Sequence, residues 1–223
     1  MVYRRTTNVV RKLAARQSAI ISAAHALAAE GGMSTVQIVP VARHAGIAAG
    51  TVYRYFPAKT DLVAALVAMH TQREIGAMVA AADAAPGPLS ALATAIAIFA
   101  ARALRVRRLS AAILTEPVEP EIDAARRPFR EALAAELKRR VEAAVAARML
   151  ADIQGDLAAA AVMGAVVEGL IGPFAPNDTA DDAHARDRIQ IITLFALRAL
   201  GVVDARARGL VVQIVLPSSG EAA

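Results

Sequence analysis

The chain has 223 residues, of which 57% are hydrophobic, 20% are charged and only 4% are aromatic. This length fits one or two domains, and the abundance of alanine, the best helix former, favours helices over strands. The absence of cysteine excludes disulfide bonds, Cys-ligated zinc, iron–sulfur clusters and thiol nucleophiles, and it fits a cytoplasmic protein.

Neither a secretory signal peptide nor a transmembrane helix is expected. The apolar run over residues 157–167 has about half of the roughly 20 residues that span a bilayer. A second run, over residues 91–101, stops at Arg102. Both runs are interpreted as buried helices of a helical bundle, and no membrane partner is predicted.

The net charge of +5 is unevenly distributed along the chain. Residues 1–60 contain eight Lys or Arg residues and one Glu, a net charge of +7, whereas the remainder carries a net charge of −2. A basic segment joined to a nearly neutral one indicates a polyanion-binding part attached to a part with another task. Charge alone does not distinguish DNA from RNA or from an anionic membrane surface.

The first 60 residues predict a helix-turn-helix. Residues 1–10 are polar and basic and are expected to be disordered, and an amphipathic helix follows from Arg11 to the glycine pair at Gly31. A short helix with Pro40 in its first turn and either Thr35 or Gln37 as its N-cap precedes Gly46. A second short helix then runs over about residues 48–55, ended by a Phe-Pro pair. Two short helices joined by a glycine-containing turn are typical of this motif.

Helical spacing continues through the rest of the chain. Helices are predicted over about residues 59–82, 89–105, 108–114, 120–148, 152 or 156 to 172, and 183–200. Pro128 is expected to kink or split the fourth of these, and residues 210–216 are open to either a short strand or an apolar segment packed on a neighbour. The prediction is an all-α fold with a DNA-binding head (residues 1–58), a larger helical body (59–201) and a tail of uncertain structure (202–223).

A recognition helix places its N-terminal residues at base edges in the major groove. The small residues that begin the second short helix allow a close approach, with Ala49 suited to a thymine methyl group and Thr51 to a base edge or a phosphate. The two tyrosines that follow are suited to phosphate oxygens. The predicted DNA-binding residues are Gln37, Arg43, Ala49, Gly50, Thr51, Tyr53, Arg54, Tyr55 and Lys59. The alternative is a helical hairpin without a nucleic-acid partner, in which the tyrosines are merely solvated.

Residues 42–62 closely resemble the DNA-binding signature of the TetR family of bacterial transcriptional regulators. An Ala-Gly pair before the turn, the pattern Gly-Thr-x-Tyr-x-Tyr-Phe and a Lys three residues later occur in order, and the resemblance extends over about residues 10–65. It implies operator contacts at Gln37, Thr51, Tyr53, Tyr55 and Lys59, and a core position for Phe56.

Two departures from the family pattern concern base recognition. Ala48 stands where the family commonly has a serine, and loss of a side-chain N-cap costs about 0.5–2 kcal/mol. Ala49 stands where the family often has a polar or basic residue. Specificity is therefore expected to rest on Thr51, Arg54 and DNA shape.

The resemblance also implies a body that forms a homodimer and binds an effector. The last two helices would pair across a two-fold axis, with candidate interface residues Ala160, Gly164, Ile189, Ile192, Phe195 and Ala199; the alternative is that these stripes face the protein's own core. An apolar small molecule would bind between the body helices, with candidate pocket residues Met69, Phe99, Arg102, Phe129, Met163 and Val167; the alternative is plain core, with Arg102 either meeting a carboxylate or reaching the surface. The predicted function is an effector-released repressor that binds a palindromic operator in double-stranded DNA.

Other classes of function fit the sequence less well. The four histidines are scattered, and no nucleophile elbow or phosphate loop is present. His70 and Glu74 are one turn apart, as metal ligands could be, but a surface pair is the preferred interpretation. No enzyme activity, cofactor or metal is expected. A membrane-surface binder or a helical interaction protein without sequence-specific DNA binding is the alternative to a regulator.

Overall fold

The computed structural model describes residues 7–176 and 182–216, and within these residues the chain is all-helical, without a strand. The helices are α1 (Thr7–Gly31), α2 (Ile38–His44), α3 (Ala49–Tyr55), α4 (Lys59–Asp83), α5 (Pro88–Arg105), α6 (Arg107–Leu114), α7 (Pro120–Ala146), α8 (Gly155–Leu170), α9 (Asp182–Ala199) and α10 (Asp204–Gln213), with a 3-10 turn at Met33–Thr35. The all-α prediction is confirmed.

The head is a small bundle of α1, α2 and α3 closed by the start of α4. Ile20, Val41, Val52, Phe56 and Leu62 come from these four helices and are almost entirely buried. Their helical spacing in the sequence explains why each helix buries one face. Helix α1 begins at Thr7 rather than Arg11, so residues 7–10 are helical and the expectation of disorder there is wrong; residues 1–6 lie outside the described residues.

The body is built around α5, which is buried on nearly all sides and packs against α4, α7, α8 and α9. Alanine occupies much of this helix, and such small side chains allow neighbouring helices to approach closely. Among the described helices, α5 alone is long and apolar enough to span a membrane, but 67% of it is buried inside the protein. It is accordingly the central core helix.

Helix α7 runs unbroken through Pro128, so the expected split does not occur. Proline removes one backbone hydrogen bond, but the side chains beside it hold the helix in place. Arg126 and Phe129 are both buried on the inner face, whereas Pro128 is exposed.

An ionic contact joins α4 to α7. The Arg140 guanidinium donates Nε–H to Glu136 Oε1 at 2.6 Å and Nη2–H to Asp83 Oδ1 at 2.6 Å. The hydrogen bond from Arg140 holds the pKa of Asp83 below its ordinary value. Arg140 and Glu136 are both buried, so removing one partner would leave the other as an uncompensated buried charge.

The tail contains a tenth helix, so the strand considered for residues 210–216 is not formed. Asp204 begins α10 and accepts hydrogen bonds from Arg198 and Arg208, an arrangement that lowers the pKa of its carboxyl group. The acidic residue also favours the positive N-terminus of the helix. Helix α10 packs on α9 and α5, and this packing overrides the β-branched character of residues 210–216.

Replacing Phe129 with alanine should lower the free energy of unfolding by about 3–5 kcal/mol, because the ring is 2% exposed and its removal leaves a cavity. Urea denaturation followed by circular dichroism measures this change. The matched control is Phe174→Ala, whose ring is 90% exposed and whose removal should change stability by less than about 0.5 kcal/mol. Equal losses in the two variants would contradict the described packing.

Candidate DNA-binding surface and effector cavity

The turn between α2 and α3 sets the angle of the recognition helix. Ile47 N–H donates to Ala42 O at 3.0 Å, and Gly46 N–H donates to Arg43 O at 3.1 Å. These two bonds form a Schellman motif, which needs a left-handed residue after the helix. Gly46 supplies this left-handed residue with φ = 65°, in agreement with the predicted end of the helix at this glycine.

Helix α3 is anchored on one face and open on the other. Val52 and Phe56 are buried in the head, whereas Gly50, Tyr53 and Arg54 are exposed, and the Tyr53 side chain is 51% exposed. The Arg54 guanidinium carbon lies 5.8 Å from the centre of the Tyr55 ring. The outward face of α3 therefore presents the exposed backbone of Gly50, the phenol group of Tyr53 and the guanidinium group of Arg54.

The start of α3 has no side-chain cap. Ala48 occupies the N-cap position with an extended backbone, and its carbonyl oxygen accepts the Thr51 N–H at 2.9 Å. The departures at Ala48 and Ala49 thus leave the first backbone N–H groups of the helix without a side-chain acceptor.

Gln37 and Arg43 are exposed on α2, where the sequence predicted DNA contacts. Of the two residues expected at the N-cap of α2, Gln37 occupies that position, but its side chain makes no capping hydrogen bond. Gln37 Nε2 donates to Ser34 O at 3.2 Å, and the Thr35 hydroxyl donates to Leu27 O at 2.8 Å and Gly32 O at 2.7 Å. Thr35 is therefore used to fasten the end of α1.

Lys59, the first residue of α4, lies near the segment that precedes α7. Its Nζ lies 3.9 Å from Glu119 Oε2, just before α7. Gln37 and Lys59 both line a cleft between the head and the segment that joins α6 to α7. Two predicted DNA contacts thus border a head–body cleft, which the sequence did not show.

Two hydrogen bonds connect the end of α1 and the residues after it to α6 and the residues after it. Arg108 Nη2 donates to Gly31 O at 2.8 Å, and Glu116 Oε2 accepts the Met33 N–H at 3.0 Å. Gly32 lies between them with φ = 84°, and a Cβ atom there would collide with Arg108 and Glu116. Only glycine satisfies both the backbone angle and this close approach.

The far end of α6 is held by arginines of α7. Arg126 Nη1 donates to Ala112 O at 2.7 Å and to Glu116 O at 2.9 Å, and Arg130 Nη2 donates to Leu114 O at 2.5 Å. The last carbonyl groups of a helix lack intrahelical partners, and cations stabilise them. Helix α6 is thus fixed to α7 through its last carbonyl groups, and Arg108 and Glu116, near its two ends, join it to the end of α1 and to Met33.

A small cavity lies between α4, α5, α6 and α7. It encloses about 10 Å³, roughly the room that one water molecule requires. Phe99, Arg102 and Phe129 line it, as predicted, whereas Met69, Met163 and Val167 do not. The residues lining the cavity are His70, Glu74, Ile75, Met78, Phe99, Arg102, Ala103, Ser110, Leu114 and Phe129.

Arg102 meets a carboxylate at the cavity wall. Its Nε donates to Glu74 Oε2 at 2.5 Å and its Nη2 to Glu74 Oε1 at 3.1 Å, with both side chains largely buried. Of the two alternatives that the sequence left open for Arg102, the structure supports the carboxylate partner. The pair joins two helices, so no local sequence pattern indicated Glu74.

His70 is buried at this wall, so its interpretation as part of a surface pair with Glu74 is wrong. Its ring centre lies 5.0 Å from that of Phe129, with the rings tilted by 59°. Burial, which disfavours the imidazolium form, lowers the pKa of His70 to about 4. Nearby Arg73 and Arg102 act in the same direction and Glu74 opposes them, so the imidazole is neutral near pH 7.

The last helices carry an exposed apolar face. Phe195 and Ala199 on α9 and Ala160 on α8 are exposed, whereas Ile189 packs inside the subunit. Ile192 and Gly164 are half-buried. Leu157 and Ile191 are not among the predicted interface residues. Their side chains are about two-thirds exposed (65% and 66%) and add to the apolar surface of α8 and α9.

Within the described ranges, no three histidine or acidic side chains come together as a metal site would require. His70 and Glu74 share a helix face, but Glu74 is bonded to Arg102. The site is thus characterised by an exposed helix in the head and an ion-paired cavity in the body.

Residues 20–66 match the family model described as bacterial regulatory proteins, tetR family. The HTH-type transcriptional repressor KstR of Rhodococcus jostii is 43% identical over 58 residues, which cover 26% of this chain and 27% of that protein. KstR of Mycolicibacterium smegmatis is 40% identical over 58 residues, or 26% and 28% of the two chains. The chain thus matches only about a quarter of the length of these curated relatives.

Solved structures resemble the chain over nearly its whole length. A structure of RolR in complex with resorcinol covers 95% of this chain and 100% of its own, with a TM-score of 0.68 and 22% identity. The regulator FadR from Bacillus subtilis in complex with stearoyl-CoA covers 79% and 97%, with a TM-score of 0.66 and 20% identity. At these identities the likeness establishes the fold.

Lowering the pH from 7.5 to 5 should reduce the free energy of unfolding through His70. The unfolded chain binds a proton at this residue below about pH 6.5, whereas the folded chain does so only near pH 4. The unfolded state therefore gains a proton first, which costs about 2 kcal/mol of stability by pH 5. Urea denaturation at several pH values should show a shallower pH dependence for His70→Gln. His44→Gln, at an exposed position of α2, is the control, and identical pH profiles for His70→Gln and the wild type would refute the assignment.

Proposed function

We propose, from the premise that residues 20–66 of this chain belong to the tetR family of bacterial regulatory proteins, that the protein is an effector-responsive transcriptional repressor. It binds a palindromic operator as a homodimer and leaves the DNA when a small molecule enters the body cavity. The outward face of α3, within the first 60 residues of net charge +7, is the observation that carries the DNA-binding part.

The predicted contact residues of the head divide between two kinds of contact. Tyr53, Tyr55 and Lys59 supply phenol and ammonium groups for phosphate oxygens, which fix the register on DNA. Thr51 and Arg54 are left for base edges, since Ala49 and Gly50 offer only contact with a thymine methyl group or close backbone approach. Exposed Gln37 and Arg43 add donors from α2.

Dimerisation through α8 and α9 relates the two heads of the dimer by a two-fold axis. One seven-residue recognition helix reads few base pairs, and two helices related by a two-fold axis read two half-sites about one DNA turn, or a multiple of it, apart. The exposed apolar face at Leu157, Ile191 and Phe195 fits burial against a second copy.

Two helices link the cavity to the head. Helix α4 supplies His70 and Glu74 to the cavity wall and begins at Lys59. Helix α6 supplies Ser110 and Leu114 to the wall, and Arg108 joins it to the end of α1. A ligand larger than the present cavity must displace these helices, and the change in operator affinity is limited by the ligand's differential affinity for the two arrangements.

The same assignment makes the protein a cytoplasmic regulator and not an enzyme. Its partners are double-stranded DNA, a small-molecule effector and a second copy of the chain, without a membrane. A helical interaction protein or a membrane-surface binder would show no preference for operator DNA over other polyanions. Mobility-shift titrations with fragments from upstream of the gene, competed by random duplex and by anionic vesicles, separate these functions.

Replacing Lys59 with alanine should weaken binding by a similar factor on operator and random DNA, because a phosphate contact carries no sequence information. The slope of log affinity against log salt concentration should flatten by about one unit. Fluorescence anisotropy over a range of salt concentrations measures both effects. Lys138→Ala, which removes a lysine paired with Asp156 in the body, is the control, and an unchanged salt slope in Lys59→Ala would remove Lys59 from the contacts.

Replacing Phe195 with glutamate should convert the dimer to a monomer and reduce operator affinity, because it places a charge in the centre of the proposed apolar interface. Light scattering after size-exclusion chromatography gives the mass. Val39→Glu introduces the same charge at an exposed apolar residue of α2 and should leave the mass unchanged. A dimeric Phe195→Glu protein would exclude the α8–α9 face as the interface.

A further inference from the structure

The charged groups that line the body cavity form a buried ion pair. Arg102 presents two N–H groups to the two oxygens of Glu74, in the side-by-side arrangement that guanidinium and carboxylate prefer. The remaining wall is mostly apolar, with Ile75, Met78 and Phe129 around this pair. The fork of Arg102 is thus held in the geometry that binds a planar carboxylate, with the protein's own carboxylate in that position.

The charges near this wall favour an anionic ligand over a cationic one. Arg73 and Arg102 both act on His70, as does one carboxylate, Glu74. Arg102 and Glu74 neutralise each other, and Arg73, at an exposed position of the same helix as His70, adds a positive charge nearby. An added carboxylate would neutralise that charge, whereas an added ammonium would increase it.

Displacing Arg102 from the ion pair and displacing Glu74 from it have different free-energy costs. Arginine stays protonated in proteins, so a cationic ligand that bound Glu74 in place of Arg102 would leave the buried charge of Arg102 unpaired. The Glu74 side chain retains 13% exposure, so a carboxylate displaced from Arg102 keeps contact with water. A ligand carboxylate that replaces Glu74 on Arg102 therefore costs less than a ligand cation that replaces Arg102 on Glu74.

On this basis we infer that the effector is a carboxylic acid with an apolar body, and that its carboxylate replaces Glu74 on Arg102. The inference rests on the proposed function in taking this cavity as the effector site. Glu74 is an internal competitor for the ligand position, and Ser110 and His70 line the same cavity as further polar groups.

Matched acid and amide pairs test the chemical class. The probes are benzoate with benzamide, 3-phenylpropionate with 3-phenylpropanamide, and octanoate with octanamide, added to the full-length protein at pH 7.5. Isothermal titration calorimetry and thermal denaturation should show at least one acid binding about tenfold or more tightly than its amide, because the charged hydrogen bonds to Arg102 are lost in the amide. If in every pair the acid binds no more tightly than its amide, the inference is overturned.

Two variants locate the binding and test the exchange. Arg102→Met should abolish the preference for the acid, whereas Arg127→Met, at an exposed position of α7, should retain it. Glu74→Gln keeps the side-chain shape and removes the competing charge, so it should bind the acid several-fold more tightly than the wild type, an outcome that loss of folding cannot imitate. Unchanged or weaker acid binding by Glu74→Gln would refute the exchange.

DNA anisotropy on the same samples separates this inference from the proposed function. An acid that binds through Arg102 without changing affinity for the upstream duplex supports the inference and contradicts effector-controlled release. Release by an amide, with no preference for the acid, supports the regulator and overturns the inference.

Discussion

Helix α6 is the constraint on which the rest of the structure depends, because it is fixed at both ends by charged side chains. Arg126 and Arg130 bind its last carbonyl groups from α7. At its N-terminal end, Arg108 reaches the carbonyl oxygen of Gly31. Glu116, just beyond the same C-terminal end that Arg126 binds, accepts the Met33 N–H. The helix has only eight residues, so a displacement at one end is readily carried to the other. The head is thereby attached to the wall of the cavity, and the position of α1 depends on how that wall packs.

The composition explains how a body with so few aromatic residues forms a close-packed core. Helix α5 buries Ala93, Ala95 and Ala100 almost completely, which brings four neighbouring helices close to its backbone. Bulky side chains are then needed only at a few positions, such as Phe129. The same close packing leaves little free space, so the cavity at Arg102 is a small region lined by an ion pair, and a ligand must rearrange its wall to enter.

Local sequence patterns predicted the elements of the head and most helices of the body. The turn at Gly46, the exposed tyrosines and the buried Phe56 follow from patterns that lie within about 20 residues. The sequence did not indicate the contacts that depend on tertiary structure, including Arg102 with Glu74 and Lys59 with Glu119, because each joins residues that are distant along the chain. For the same reason Met163 and Val167 were placed at the cavity, although α8 contributes nothing to its lining. The tail was ambiguous because residues 210–216 include several β-branched side chains but follow a helix that begins at Asp204.

The placement of the tyrosines has a spectroscopic consequence. The chain has no tryptophan, and its three tyrosines, Tyr3, Tyr53 and Tyr55, all lie in the first 55 residues. Tyrosine emission from the intact protein therefore originates entirely from the head, with two of the three emitters on the recognition helix. Changes in the body would be optically silent unless they alter the surroundings of α3. The unlabelled protein consequently carries a native fluorescent reporter for α3.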